Sequence, residues 1–245
     1  MIWSRWFCFA LVGLFGASSV ASATELLRVV CPKRPADLSP PTVDGRLDDD
    51  VWASAAVVKF HDAATGEEPR RATRVRLLWD DVNLYFGFDC DDDDPKPNAA
   101  MTNRDANLWE EEVVEMFLSP TGELHTYAEL EVNPLNTLFD AMILNNGKRT
   151  QVLRDWDMEA IRHAVAFRSD GWSVEVALPF DEFYTAPHTP PRVGDTWRMN
   201  LYRIERSDPK NPELTSWSRT LVYNFHNSEA FGILQFGETP VTQSR

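Results

Sequence analysis

A tryptophan followed by closely spaced carboxylates is the part of this sequence best suited to chemistry. Residues 109–118 read Trp-Glu-Glu-Glu-Val-Val-Glu-Met-Phe-Leu. The second half has β-propensity, and alternation along a strand puts Val113, Glu115 and Phe117 on one face. Glu115 needs water, a cation or hydroxyl groups, because burying a carboxylate unpaired is costly. With Trp109 nearby, the pattern favours a polyhydroxylated ligand such as a sugar, and the alternative is a solvated strand beside a core tryptophan.

A second segment carries alternating polar residues. Period-2 geometry separates a polar face of Tyr127, Glu129, Glu131 and Asn133 from an apolar face of Ala128, Leu130 and Val132. A face rich in hydrogen-bond acceptors and backed by core residues predicts a ligand groove. The alternative is the solvated outer face of a sheet.

The pair Glu129 and Glu131 also supports a catalytic hypothesis. Retaining glycosidases place two carboxylates about 5 to 5.5 Å apart, one as nucleophile and one as general acid. The next position on the same face is Asn133 and not another carboxylate. A glycoside hydrolase is therefore the lesser hypothesis.

An acidic run follows a predicted strand at residues 89–94. A hard cation such as calcium takes about six to eight oxygen ligands, so several adjacent carboxylates indicate part of a site. We expect structural calcium at Asp89, Asp91, Asp92 and Asp94. The alternative is a solvated acidic loop, since the spacing is not that of an EF-hand.

Several functional classes are disfavoured by composition and by motifs. The net charge of -14 repels nucleic acid. The five histidines have no metal-binding spacing, and the sequence has no G-x-S-x-G motif and no glycine-rich phosphate loop. Metal-dependent hydrolysis and serine-triad chemistry therefore have no support.

The first 23 residues resemble a secretory signal. Arg5 supplies a positive charge, residues 7–15 form an apolar core too short to span a bilayer, and Ala21-Ser22-Ala23 resembles a cleavage site. We expect cleavage near Ala23 and a secreted or periplasmic domain at 24–245, without membrane attachment. A retained anchor is the lesser alternative.

Two cysteines remain in the expected mature chain, Cys31 and Cys90. Cysteines in an oxidising compartment tend to pair, so we expect a disulfide between them. The alternative is two buried thiols.

The mature chain contains strand patterns separated by turn residues, which predict a single all-β domain. With 43% hydrophobic residues it has enough material for a core. The predicted strands are 73–79, 84–90, 113–118, 125–132, 137–144, 162–168, 172–178, 196–205 and 231–236, with helical turns near 49–55 and 181–183. This spacing is typical of an antiparallel sandwich.

Ordered motifs over about 195 residues resemble carbohydrate-binding module family 9. They are Val43-Asp44-Gly45-Arg46-Leu47-Asp48 with Trp52 and Ala55, Val75 to Asp80 with Leu84-Tyr85-Phe86, Arg104-Asp105, Trp109 with Val114 to Leu118, Tyr127, Val132-Asn133, Trp172 to Phe180, Gly194 to Asn200, Ser216-Trp217-Ser218, and Phe231-Gly232. The resemblance implies an immunoglobulin-like or jelly-roll β-sandwich that binds a polysaccharide without catalysis. It also implies structural calcium and a glycoside hydrolase as partner.

The resemblance carries over to part of a sugar site. Trp109 matches the first of two tryptophans that clamp the sugar rings, and Glu115 and Asn133 match polar site residues. Glu131 stands where the family has an arginine, and Phe225 stands at the second tryptophan, with His226 beside it. With acceptors at Glu115 and Glu131 and a donor at Asn133, we expect such a groove to bind neutral glycans.

Distant relatives of this sandwich carry haem b and give a third hypothesis. Met116, Met142, Met199 and the histidines are candidate axial ligands. Strand methionines are more often core fillers, so an electron-transfer domain is the least favoured hypothesis.

Overall fold

The computed structural model describes residues 26–94 and 97–239, which form a sandwich of two β-sheets. Its strands are β1 (Arg28–Cys31), β2 (Ala56–Lys59), β3 (His61–Asp62), β4 (Thr73–Trp79), β5 (Asn83–Asp91), β6 (Val113–Ser119), β7 (Thr126–Val132), β8 (Leu138–Asn145), β9 (Thr150–Leu153), β10 (Arg162–Arg168), β11 (Gly171–Pro179), β12 (Thr196–Glu205), β13 (Glu213–Ser216) and β14 (Gly232–Phe236). Short 3-10 helices cover Asp50–Ser54, Leu108–Glu110, Phe180–Glu182 and Ser228–Ala230.

The predicted signal peptide, residues 1–23, lies outside the described residues. In the described ranges, no helix has the length and apolarity needed to cross a membrane.

The larger sheet has the order β1-β14-β12-β6-β7-β8-β9, and β13 and β3 continue from β12. The smaller sheet has the order β10-β11-β5-β4-β2. Paired strands are antiparallel except β1 with β14, which are parallel. The expected antiparallel sandwich is confirmed, and every predicted strand is found within one residue at each end. The strands that the sequence did not predict, β1, β2, β3, β9 and β13, have two to four residues, too few to show a clear alternation.

The main hydrophobic core lies between the two sheets. The larger sheet contributes Val114, Met116, Leu118, Ala128, Leu130 and Val132, and the smaller sheet contributes Val75, Leu77, Phe86, Phe88, Val174 and Val176. These are the apolar faces that strand alternation predicts. Met116 and Met199 are fully buried in this core, where they fill space as strand methionines usually do.

The opposite face of the larger sheet is also buried. A second apolar cluster there includes Val113, Phe117, Phe139 and Ile204 from the strands. The loop before β6 and the segment before β14 cover this face with their own side chains, among them Leu108, Trp109, Phe225 and Phe231. The polar residues that alternate with the main core are therefore enclosed, and the alternative of a solvated outer face is wrong.

A buried carboxylate, Glu175, connects the motif at residues 43–52 with the motif at residues 172–180. Glu175 on β11 accepts hydrogen bonds from the backbone N–H groups of Asp44 and Gly45, both at 2.9 Å. Its other oxygen accepts from Trp52 Nε1 at 2.8 Å. Gly45 has φ +88°, and a Cβ there would lie 2.5 Å from the backbone of Ala166, so the motif requires glycine. Glu175 thus attaches the N-terminal segment to the smaller sheet.

The expected disulfide is not formed, and Cys31 and Cys90 are free buried thiols. Cys90 lies opposite Thr73, the first residue of β4. Cys31 lies near Trp79, the last residue of β4, because its carbonyl accepts a 3.1 Å hydrogen bond from Trp79 Nε1. Six residue steps of a strand span about 20 Å. A disulfide needs Cα atoms within about 7 Å, so the two thiols are too far apart. Burial raises the pKa of both thiols, that of Cys90 to about 11.

Candidate functional site

A groove of about 320 Å³ lies over the outer face of the larger sheet. It brings together five of the predicted site residues, which are Trp109, Glu115, Glu129, Phe225 and His226. Trp109 comes from the loop before β6, the two glutamates from β6 and β7, and Phe225 and His226 from the segment before β14. The groove therefore has aromatic walls from loops and a polar floor from adjacent strands.

Trp109 is held in place by its neighbours while it remains partly exposed. Its ring meets Phe139 edge-on, with centroids 5.4 Å apart. The guanidinium of Arg154 lies 5.2 Å from the Trp109 ring and is fixed by hydrogen bonds of 2.9 Å to the carbonyl of Asp105 and to Asn107 Oδ1. An aromatic face positioned in this way can pack on a flat apolar surface at low entropic cost.

Phe225 is stacked on Tyr202 with ring centroids 4.1 Å apart and an interplanar angle of 11°. The hydroxyl of Tyr202 donates to the carbonyl of Phe225 at 2.8 Å. The next residue, His226, lies with its Nδ1 2.9 Å from the hydroxyl of Tyr127, and its carbonyl accepts from Asn145 Nδ2 at 2.7 Å. These contacts fix the segment that forms this side of the groove.

Three glutamates form a buried carboxylate triad at the floor. Glu115 on β6 is the direct cross-strand partner of Glu131 on β7, and Glu129 lies on the same face two residues earlier. One carboxylate oxygen from each lies within 4.8 Å of the other two. The side chains are only 2%, 5% and 1% exposed for Glu115, Glu129 and Glu131. Glu115 Oε1, Glu129 Oε2 and both oxygens of Glu131 have no hydrogen-bond partner from outside the triad among the described residues, and protonated Glu131 can donate to Glu129.

This environment disfavours the charged carboxylates. Burial raises the pKa of Glu129 to about 7. Burial, followed by repulsion from the neighbouring triad carboxylates, raises the pKa of Glu115 and of Glu131 well above the usual range. Arg206 lowers the pKa of Glu115, and Arg154 lowers those of the other two, but both effects are smaller than burial. The triad therefore retains protons near neutral pH in the absence of an added cation.

Three other predicted site residues do not line the groove. Glu131 lies behind the floor of the groove. Tyr127 lies beneath the floor, where its ring stacks on the ring of Phe117 with centroids 5.6 Å apart. Asn133 donates to the carbonyl of Met101 at 2.9 Å and to Glu111 Oε1 at 2.6 Å, so its amide anchors the loop before β6. The interpretation of Asn133 as a donor to the sugar is corrected by this geometry.

Several groove residues were not predicted from the sequence. Phe139 is the cross-strand partner of Glu131, so the alternation of β8 places it on this face. Arg206 follows β12 and donates to the carbonyl of Trp109 at 3.0 Å. Tyr223 and Asn224 directly precede Phe225. Strand register could have identified Phe139 from the sequence. Arg206, Tyr223 and Asn224 could have been identified only because they are next in the chain to a predicted strand or site residue.

The predicted calcium site at Asp89, Asp91, Asp92 and Asp94 is not formed as one cluster. Asp89 and Asp91 form ion pairs with Arg168 at 2.9 and 3.2 Å. Asp92 faces the opposite way, toward Arg203 at 3.4 Å. Of these four, only Asp92 joins a converging group of carboxylates among the described residues, with Glu112 and Glu205. Arginines neutralise the run, so the four residues do not fit calcium together.

Comparison with known proteins adds independent findings. A family model described as carbohydrate family 9 binding domain-like matches residues 43–238. The chain is similar to endo-1,4-beta-xylanase A of Thermotoga neapolitana, with 27% identity over 197 residues, which are 80% of this chain and 17% of the xylanase. It is also similar to endo-1,4-beta-xylanase A of Thermoanaerobacterium saccharolyticum, with 23% identity over 194 residues, 79% of this chain and 15% of that enzyme. The chain thus spans less than a fifth of these relatives.

Solved structures share the fold at low sequence identity. A carbohydrate binding module of family 9 from Caldicellulosiruptor kristjanssonii, in complex with cellotriose, superposes with a TM-score of 0.63 and 17% identity over 89% of this chain and 98% of that one. A module of this family from the same organism, in complex with glucose, gives a TM-score of 0.61 and 17% identity over 89% of this chain and 100% of that one. The two-sheet architecture is therefore shared with known structures.

Proposed function

Because this chain belongs to the carbohydrate family 9 binding domain-like family, we propose that it binds a poly- or oligosaccharide in the groove beside Trp109 and has no catalytic activity. The observation that carries this proposal is a partly exposed tryptophan at the wall of an open groove with carboxylates at its floor. A sugar ring has apolar C–H faces, which suit aromatic walls, and hydroxyl edges, which suit acceptors. The relatives solved with cellotriose and glucose support a glucan as the first ligand to test.

Replacement of Trp109 by alanine should weaken binding of cellotriose about 5- to 30-fold. Covering about 50 Å² of sugar at about 25 cal/mol per Å² contributes about 1 kcal/mol, and lost ordering around the ring raises this to about 2 kcal/mol. Because Trp109 is only partly buried, the melting temperature should change little. Titration calorimetry measures the first effect and thermal unfolding the second.

The matched control is Tyr184→Ala. Tyr184 is an aromatic residue that is 84% exposed and lies outside the groove. Its removal should leave the affinity unchanged. Unfolding of the Trp109→Ala variant would instead identify Trp109 as a core residue, and equal affinity would place the sugar elsewhere.

Export and an enzymatic partner are further parts of the proposal. Export is supported by the signal-like sequence of residues 1–23, and N-terminal sequencing of secreted or periplasmic protein would reveal cleavage near Ala23. A glycoside hydrolase partner is supported by the similar segments within xylanases. Release of reducing sugar by the pure protein would contradict the non-catalytic assignment.

Structural calcium is also proposed, at a place other than the acidic run. Asp105, Asp140 and Asp157 converge within 4.8 Å, and the side chain of Asp157 is 39% exposed. Arg104 pairs with Asp140 at 2.7 Å and with Asp157 at 3.3 Å, so calcium bound here would replace Arg104 as the partner of these carboxylates. Carboxylate oxygens are the ligands that calcium prefers. We expect millimolar calcium to raise the melting temperature relative to excess chelator, because a ligand of the folded state stabilises it. Equal melting temperatures would reject calcium.

A further inference from the structure

The carboxyl groups at the floor of the groove receive no hydrogen bond from outside the triad among the described residues. Glu115 and Glu129 line the groove, and Glu131 lies directly behind them. Among the described residues, none of the three forms an ion pair, and oxygens of each are buried without a hydrogen-bond donor from outside the triad. An unpaired buried carboxylate is unfavourable, so a cluster of three is most easily stabilised by a ligand that brings positive charge and several N–H donors.

We propose that the groove selects an amino sugar whose ammonium group binds between Glu115 and Glu129. This inference rests on the proposed function, since it names the class of sugar for the same groove. Glu131 adds negative charge from behind the two contacting carboxylates and is a positioning residue. A neutral sugar, with a hydroxyl at the same carbon, supplies only one donor and no charge.

The geometry admits an ammonium group. Two acceptors that each lie about 2.8 Å from one tetrahedral nitrogen are separated by about 4.6 Å. The converging oxygens of Glu115 and Glu129 lie no more than 4.8 Å apart, so one nitrogen can reach both. Phe117 and Phe139 also line the groove beside Trp109. Apolar rings limit the access of water to the floor, which strengthens an electrostatic contact made there.

A calcium ion suits this floor less well. Calcium takes about six to eight oxygens, whereas an ammonium group needs about three acceptors. The groove wall beside the triad consists mainly of aromatic and aliphatic side chains such as Phe117, Phe139 and Ile204, which offer no ligand oxygens. The observations therefore favour an organic cation.

The surrounding charges leave the floor acidic. Arg206 and Arg154 are the cations that act on the triad, and each is already engaged, Arg206 with the carbonyl of Trp109 and Arg154 with the loop before β6. Tyr127 and Tyr202 also lie near the triad, and His226 lines the groove. Burial raises the pKa of both tyrosines and lowers that of His226, which keeps all three in their neutral forms. Three carboxylates thus face two arginines, and protons now supply the missing positive charge.

Calorimetric titration of the folded protein with three matched trisaccharides tests the proposal. The ligands are cellotriose, its glucosamine counterpart and the N-acetylglucosamine counterpart, at a pH where the free amine is charged. We expect the glucosamine trisaccharide to bind at least about 10-fold more tightly than either neutral ligand. We also expect proton release on binding, seen as a heat that depends on the ionisation enthalpy of the buffer.

Variants locate the selectivity. Glu129→Gln should reduce the preference to less than about 3-fold, and Glu115→Gln should do the same. Glu123→Gln is the control, because Glu123 is an exposed carboxylate outside the groove and should retain the full preference. A preference that survives both groove variants would overturn the proposal, as would a preference that disappears when divalent metals are chelated.

Different titration results would contradict the amino-sugar selectivity and the sugar binding itself. Cellotriose binding that equals or exceeds binding of the glucosamine trisaccharide in the wild-type protein would overturn the amino-sugar proposal and leave the proposed function intact. Failure of all three ligands to bind would overturn both.

Discussion

Replacement of Arg203 by methionine should lower the free energy of unfolding by about 3 to 5 kcal/mol. Arg203 is fully buried, and its Nη1 donates to the carbonyl of Asp91 at 2.9 Å. Its Nη2 lies 3.4 Å from Asp92, and its guanidinium lies 5.7 Å from the ring of Trp172. Methionine retains much of the side-chain volume of arginine but has no charge. The buried carboxylates near Arg203 therefore lose a cationic partner.

The acids around Arg203 make this loss severe. Asp92, Glu112 and Glu205 converge within 4.8 Å and are at most 4% exposed. Burial raises the pKa of Glu112 to about 7 even with Arg203 present. Without Arg203, Arg71 remains as the main cation of this group, at 3.3 Å from Asp92 and 3.0 Å from Glu205.

Urea unfolding of Arg203→Met and of a control variant measures the effect. The control is Arg76→Met, because the Arg76 side chain is 29% exposed and lies 3.9 Å from Asp89. Ion pairs that solvent reaches contribute at most about 1 kcal/mol, so the control should lose less than that. Equal losses in the two variants would contradict the role assigned to Arg203.

Strand alternation predicted which residues face the main core, because the period of two is a local property of the chain. It correctly separated Leu130 from Glu129 and Met116 from Glu115. It did not predict that the opposite face is also buried, because the loop that carries Trp109 and the segment that carries Phe225 come from distant parts of the chain. A polar face covered by such segments has the same sequence pattern as a solvated one.

Strand register also indicates how the acidic run and the two cysteines are placed. The predicted strands 73–79 and 84–90 pair as the hairpin of β4 and β5, whose register places Arg74 opposite Asp89, and this indicates that arginines neutralise the acidic run. The same register places Cys90 beside Thr73, at the end of β4 remote from Trp79 and Cys31. The environment of Asn133 was not predictable in this way, because its partners Met101 and Glu111 lie in a loop.

The carboxylate triad should contribute more to the free energy of unfolding at acidic pH than at neutral pH. In the unfolded chain the three glutamates ionise near their ordinary pKa of 4.5. Their raised pKa values in the folded protein mean that the folded state binds more protons between that value and the folded pKa. Unfolding then releases protons, so the free energy of unfolding falls as pH rises. This stabilisation is complete below about pH 4.5 and is lost as pH rises through about 7 for Glu129 and through the raised pKa values of Glu115 and Glu131.

Glu131→Gln should therefore raise the free energy of unfolding at about pH 8 by on the order of 2 kcal/mol and change it little at about pH 5. The amide has nearly the shape of the protonated carboxyl, carries no charge, and can donate to Glu115 and Glu129. Chemical unfolding across this pH range measures both effects. Burial lowers the pKa values of His163 and His226, so these histidines change the free energy of unfolding with pH in the opposite direction to the glutamates. The histidine contributions are the same in variant and wild type and cancel when the two are compared. Glu123→Gln, which alters an exposed carboxylate, should follow the wild-type pH profile. A Glu131→Gln protein that is less stable than wild type at pH 8 would mean that the three buried carboxylates are already stabilised by a cation in the folded protein.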